Sequence, residues 1–277
     1  MHPVIKHLLA RRNKSVPVKD GRNIALVNLG GFMAGIRNAG AMLALVEMGY
    51  ENAFDSIYTI SSGFSNASSF LSGDGRRNIS VYYEDLCTGH FLKPKRFWKM
   101  VNLDYLVNIL KFKKPLNVTQ ILKQQTKLFI LLKNKNKNIN EYVEVHNFPK
   151  AKYFNLIKAA SSMPFLSPGY IKVGHNYYKD PFSTAGQITA HLKYVLATDA
   201  SDIFVIYNQY SDYFYAKKRL KAFGQKKILH IYPPKGSILS SFENRPEVLK
   251  QEAKLMGRTV KNLFGLKRDI NLYETKA

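Results

Sequence analysis

The chain has 277 residues, 42 of them Lys or Arg and 19 Asp or Glu, for a formal charge of +23 at neutral pH, with 45% hydrophobic residues and one cysteine. That apolar fraction excludes wholesale disorder, and the length is enough to bury the core of one large α/β domain or two small ones. The lone Cys87 excludes an intramolecular disulfide framework and a cysteine-based zinc site, and it suits a reducing compartment.

Met1 to Ser15 holds only short apolar groups broken by Lys6 and His7. No signal-peptide core is legible there, and residues 1–21 read as a basic extension. Asn23 to Leu29 is a branched apolar run ending in Gly30-Gly31, the pattern of a buried strand entering a glycine turn. From Gly35, apolar positions Ile36, Ala39, Met42, Leu43 and Val46 recur at helical spacing up to a C-cap at Gly49. The window Ala25 to Gly49 contains five glycines, Arg37 and Glu47, which argues against a transmembrane helix. Ser56 to Ile60 reads as a strand and Phe64 to Leu71 as a helix, so the chain opens β-turn-α-β-turn-α, the pattern of a parallel sheet with covering helices.

Further on, Val81 to Leu86 and Leu103 to Leu110 read as helices, Leu128 to Leu132 as a buried strand, and Lys133 to Asn140 as a polar loop. Helical spacing returns over Tyr153 to Ala160, before Met163-Pro164. Short strands at Tyr170 to Val173 and Asn176 to Tyr178 flank the turn Gly174-His175. A helix over Ile188 to Thr198, strands Ile203 to Tyr207 and Ile228 to Ile231, and a long helix Pro246 to Leu263 complete the pattern. No repeat or linker divides it, and it reads as one domain.

Charge is uneven. Lys93 to Lys137 carries twelve Lys and Arg against one acid, Asp104, and a second basic cluster runs from Lys217 to Lys235. Such patches attract polyanions, either nucleic acid or an anionic lipid surface. The bland alternative is a Lys- and Asn-rich composition carried on solvated loops.

Thr59-Ile60-Ser61-Ser62-Gly63 lies between an expected strand and an expected helix, the context of a nucleophile elbow, in which a strained turn lifts a serine Oγ to a helix N-terminus. The letters S-x-G alone are weak, since Ser167-Pro168-Gly169 repeats them without that context. The turn Gly30 to Gly35 offers backbone N–H groups at the same sheet edge, and Asp180 follows a strand-like segment and offers a base. His146, His175 and His191 have the chemistry of a triad member but no distinguishing context.

In order, Gly30-Gly31 with Gly35, Ser61-x-Gly63, Ala160-Ser161-Ser162-Met163-Pro164 and Tyr178-Lys179-Asp180 resemble the successive blocks of bacterial patatin-like phospholipases, over about residues 22–265, with 266–277 as a tail. The resemblance implies a single three-layer α/β/α domain with a mostly parallel central sheet and a nucleophile elbow. It implies a lipid acyl hydrolase that uses no cofactor or metal, with Ser61 as nucleophile, Asp180 as general base and the N–H groups of Gly30, Gly31 and Phe32 as oxyanion hole. The substrate would be a phospholipid or another acyl lipid, cleaved at a carboxylic ester through an acyl-enzyme. Four positions depart from the family pattern: Phe32 replaces a third glycine, Ala34 replaces a basic residue with Arg37 three residues on, Thr59 replaces the first elbow glycine, and Pro181-Phe182 follows Asp180 in place of small residues.

On this reading the protein is cytoplasmic and meets an anionic membrane peripherally through Lys93, Lys95, Arg96, Trp98 and Lys99. The four departures motivate an alternative, a catalytically impaired lipid-binding or interaction protein on the same scaffold. Nucleic acid is the least favoured partner, because the chain shows no zinc-finger spacing, aromatic RNA-binding box or helix-turn-helix pattern.

Overall fold

The central strands carry large apolar side chains at both odd and even positions, so both faces of their sheet must be covered. A computed structural model describes residues 1–93, 100–164, 166–167, 169–182, 185–220, 227–266 and 269–272 of the chain. Among them, eight strands form one mixed sheet: β1 (Ile24–Asn28), β2 (Ser56–Ile60), β3 (Lys127–Asn134), β4 (Ile139–Glu144), β5 (Ile171–Val173), β6 (Asn176–Lys179), β7 (Asp202–Ile206) and β8 (Lys227–Ile231). Five run parallel in the order β8-β7-β1-β2-β3, while β4 and β6 are antiparallel to β3 and β5 is antiparallel to β6.

Alternation splits the core in two. Ile24, Leu26, Ile57, Leu128, Ile130, Phe204 and Ile206 point to one face, and Ala25, Val27, Tyr58, Ile60, Ile203 and Val205 to the other. The first face is covered by α1 (Pro3–Ala10), α2 (Ile36–Glu47), α3 (Ser62–Leu71), α4 (Gly75–Ser80), α5 (Leu103–Asn108), α6 (Val118–Lys123) and α7 (Tyr153–Ser161). The second is covered by α8 (Ala185–Ala197) and α9 (Tyr210–Leu220), and α10 (Pro246–Leu263) returns to the first. This is a three-layer α/β/α fold.

Several elements differ from the sequence-based reading. Lys133 to Asn140, expected as a polar loop, is mostly strand: β3 runs to Asn134 and β4 starts at Ile139, so the polar residues form a hairpin tip and edge. The basic N-terminal segment contains α1, whose Val4 and Leu8 are fully buried, and the buried Arg11 binds Asp20 at 2.7 Å and Asp55 at 2.6 Å. Helix α9 has only a thin apolar stripe, Tyr213, Ala216 and Leu220, among charged neighbours. The segments Val81–Asp85 and Ile109–Lys113 are wound as π-turns that extend α4 and α5; the first is helical as read, and the second carries the helix expected to end at Leu110 on to Lys113. No helix among the described residues is long and apolar enough to cross a membrane.

The tightest helix contact joins α2 to α10. A Cβ on Gly40 would lie 2.2 Å from the Ala253 carbonyl oxygen, so the backbones touch and only glycine fits. Gly40→Ala should therefore lower unfolding free energy by roughly 2–3 kcal/mol, read as a lower urea midpoint at unchanged slope.

Candidate functional site

One strand edge brings the site together. β4 occupies one edge of β3 over Phe129 to Asn134, so β2 and β6 must share the other. β2 ends with Ile60 opposite Leu131, and β6 ends with Lys179 opposite Lys133, running the other way. The two chains thus meet head to head beside Leu132, and the next residue of each is Ser61 and Asp180. Residues 119 positions apart are juxtaposed by register alone.

Ser61 sits at φ 54°, ψ −134°, immediately before α3. A non-glycine residue there is strained by about 1–3 kcal/mol and persists only where its surroundings hold it. They do: Asn28 Nδ2, on β1, donates to the Gly63 carbonyl at 2.9 Å. A Cβ on Gly63 would fall 2.4 Å from the Asn28 carbonyl oxygen, which explains the glycine of the S-x-G. Thr59 fits where the resemblance has glycine, because its hydroxyl donates to the Phe129 carbonyl at 2.8 Å.

Asp180 is buried, 1% exposed. Its Oδ1 accepts the Phe182 N–H at 2.6 Å, whereas Oδ2 accepts no hydrogen bond of normal geometry among the described residues. Burial pushes its carboxyl up to about 6, and the nearby Ser61 hydroxyl and the Phe182 N–H offset part of that rise. The Ser61 hydroxyl is therefore close enough to favour the charged form without closing a well-formed bond to Oδ2. Pro181 supplies no donor, and Phe182 takes the glycine-like φ of 62° that brings its N–H to the carboxylate.

Gly30 and Gly31 follow β1 at the same end of the sheet, and Phe32 adopts φ 53° in spite of its side chain. The carbonyls of this turn are tied down. Asn208 Nδ2 donates to Leu29 O at 3.0 Å and Gly30 O at 2.7 Å, Asn38 Nδ2 donates to Leu29 O at 2.7 Å, and Gly31 O accepts the Ala34 N–H at 3.0 Å. Arg37 does not stand in for the basic residue absent at Ala34. It is fully buried and donates to Glu252 at 2.7 Å, the Asn208 carbonyl at 2.7 Å and Ser237 Oγ at 2.6 Å, anchoring the turn to α10 and to residues 208 and 237.

Ser61 opens on a cavity of about 50 Å³, whose walls include Phe32, Phe91, Leu106, Leu110 and Met163. Phe32 stacks on Phe91 with ring centroids 5.5 Å apart and meets Phe242 at 5.6 Å. None of the histidines lines it. His191 is buried beside the Tyr142 hydroxyl and burial pushes it down to about 3, His146 has no hydrogen-bond partner for either ring nitrogen among the described residues, and His175 is exposed. Burial pushes the Cys87 thiol up to about 11, which leaves it unreactive near neutral pH. No group of three or more His, Cys, Asp or Glu among the described residues is placed to hold a metal ion.

The basic stretch is less free than its sequence suggests. Lys114 is 2% exposed, held by Glu84 at 2.7 Å and Asp85 at 2.5 Å, and Lys113 also pairs with Asp85. Phe91 is buried, whereas Phe112 is exposed. Lys93 is half-buried, with its N–H bonded to the Met100 carbonyl, and Lys95, Arg96, Trp98 and Lys99 lie outside the described residues. Sequence reading passed over the asparagines Asn28, Asn38, Asn66 and Asn208. The signal was a polar residue interrupting or directly ending an apolar strand, as at Asn28 and Asn208.

No family model and no curated protein matches the chain. Among solved structures, VipD from Legionella pneumophila is similar over 87% of this chain and 67% of its own, at 10% identity and a TM-score of 0.49. At that distance no function passes from one to the other.

Two stability effects follow. Ser61→Gly should raise unfolding free energy by roughly 1 kcal/mol, by relieving the positive φ. The raised Asp180 pKa stabilises the native state below the ordinary carboxylate pKa, and that contribution disappears as pH rises through about 6. Asp180→Asn should therefore match the wild type near pH 4 and exceed it by about 3 kcal/mol at pH 8, measured by urea unfolding at both pH values.

Proposed function

We propose that the chain is a serine acyl hydrolase of the patatin-like kind, cleaving carboxylic esters of lipids with Ser61 and Asp180. The observation that carries this reading is a strained serine at a helix N-terminus, beside a buried carboxylate whose Oδ2 accepts no well-formed hydrogen bond among the described residues, at the head of an apolar cavity. Strain and an unmet acceptor both oppose stability, and their coincidence is what a reacting pair requires.

In the reaction, Ser61 Oγ attacks the ester carbonyl carbon while its proton passes to Asp180. The carbonyl π pair moves onto oxygen, and the backbone N–H groups of Gly30, Gly31 and Phe32, with the N-terminus of α3, stabilise the resulting oxyanion. Collapse expels the alcohol, protonated by Asp180. Water then attacks the acyl-enzyme, giving its proton to Asp180, and a second collapse releases the acid and returns the proton to Ser61. Asp180 starts each half-reaction ionised, so a pKa near 6 leaves it ready as a base at neutral pH.

The alternative, a lipid-binding protein without turnover on the same scaffold, draws on the absence, among the described residues, of a well-formed bond at Asp180 Oδ2. A fluorophosphonate probe separates the two. We expect labelling at Ser61 and hydrolysis of p-nitrophenyl butyrate whose kcat/KM rises with pH about a midpoint near 6, with Ser61→Ala and Asp180→Asn each lowering it by about 10³-fold or more. Full activity in Ser61→Ala would remove the assignment, and absence of labelling and turnover in the folded wild type would favour the binding protein.

Peripheral membrane contact through Lys93, Lys95, Arg96, Trp98 and Lys99 belongs to the same proposal. Replacing Lys93, Lys95 and Lys99 by Ser should weaken binding to anionic vesicles more than replacing the exposed Lys217, Lys218 and Arg219, as read by co-sedimentation.

A further inference from the structure

The cavity at Ser61 has two unlike walls. Val81, Leu86, Leu106 and Leu110 make one side apolar, whereas α3 presents Ser62, Ser65, Asn66 and Ser69 along the other at helical spacing. Beyond its far end lies a second cavity of about 20 Å³ between α2 and α4, bordered by Met42, Leu43, Val46 and Ile79. Asn66, Ser69 and Asn78 border both spaces, so they form the partition between them.

Two of the three are fixed by the scaffold. Asn66 Nδ2 donates to the Gly35 carbonyl at 2.8 Å and its Oδ1 accepts from the Tyr82 hydroxyl at 3.0 Å, while Ser69 Oγ donates to the Ser65 carbonyl at 3.0 Å. Asn78 differs. Ser72 Oγ donates its proton to the Ser69 carbonyl at 2.9 Å, so toward Asn78 it can only accept, which orients Asn78 Nδ2 to it at 3.3 Å. Asn78 Oδ1 is left buried with no hydrogen-bond partner among the described residues, on a side chain 4% exposed. An apolar residue at this position would spare the fold an unpaired buried carbonyl.

Resting on the hydrolase reading, we propose that Asn78, with Asn66 and Ser69, is a polar stop that limits the acyl chain: the substrates are short-acyl esters, with the rest of the molecule outside the cavity. The space before the stop is small, about 50 Å³, which favours a short acyl group over a long one. A longer chain would have to push methylenes against an amide and hydroxyls, and only past them would it reach the second apolar space.

The test compares p-nitrophenyl butyrate and octanoate. Wild type should favour butyrate in kcat/KM by at least about tenfold. Asn78→Ala, which removes the amide from the partition, should shrink that preference by about tenfold, and Asn78→Leu, which keeps the space filled, should continue to exclude octanoate. Asn78→Ser is read in place of an Asn78→Ala variant that does not fold. A wild type that favours octanoate, or a folded Asn78→Ala or Asn78→Ser variant with an unchanged preference, overturns the stop while leaving the hydrolase reading intact. If the wild type hydrolyses neither ester, the hydrolase reading fails, and the stop is judged by calorimetric titration with octanoate. Binding about tenfold tighter to Asn78→Ala than to wild type supports it, and equal binding overturns it.

Discussion

The structure depends on how the edge of β3 is shared. Because β4 claims one side of that strand, β2 and β6 approach each other along the opposite side and stop on either side of Leu132. Backbone pairing, which is regular and stiff, thereby sets the separation of Ser61 and Asp180. The carboxylate needs no long loop to reach the serine, and a one-residue slip of β6 would turn Asp180 to the other face of the sheet. The antiparallel edge on an otherwise parallel sheet is thus part of the site.

Around that junction the protein tolerates several local penalties together. Ser61, Phe32 and Phe182 all hold positive φ, two of them as bulky aromatics at positions where the family resemblance has small residues. Asp180 is desolvated, and Asn78 Oδ1 has no hydrogen-bond partner among the described residues. What offsets these is a frame of side-chain amides and one guanidinium. Asn28 binds the elbow, Asn208 and Asn38 the glycine turn, and Arg37 joins that turn to α10. The departures from the family pattern at Phe32, Thr59 and Phe182 each retain backbone geometry by a different route from glycine. Ala34 is the exception, since the charge absent there is not restored by Arg37.

Sequence legibility followed the range of the forces involved. β2 and α10 were readable to the residue, and β1 nearly so, since their apolar patterns are local and their ends carry turn or proline signals. The strand-turn-helix around Ser61 was readable for the same reason, a strand, a serine and a glycine within five residues. The polar edge strand β4 was not, because its register is set by pairing with β3 and Val143 is the one buried residue among its six. Likewise the charges of Lys113 and Lys114 looked free in sequence, and their neutralising acids, Glu84 and Asp85, come from another π-turn about 30 residues earlier. The asparagine frame and the partition at Asn78 arise from contacts that no periodicity encodes.

The bond from Arg37 to Glu252, together with the backbone contact of Gly40 on Ala253, has a bearing on the order in which the molecule is assembled. During synthesis the N-terminal parts of the sheet emerge first. Ser61 and Asp180 can be brought together once β6 has emerged, but the glycine turn beside them is not anchored until the first half of α10 has left the ribosome, some 70 residues after Asp180. A nascent chain in which β6 has just emerged therefore still lacks the contact that anchors the glycine turn. Anchoring of that turn thus waits for the last long helix of the fold.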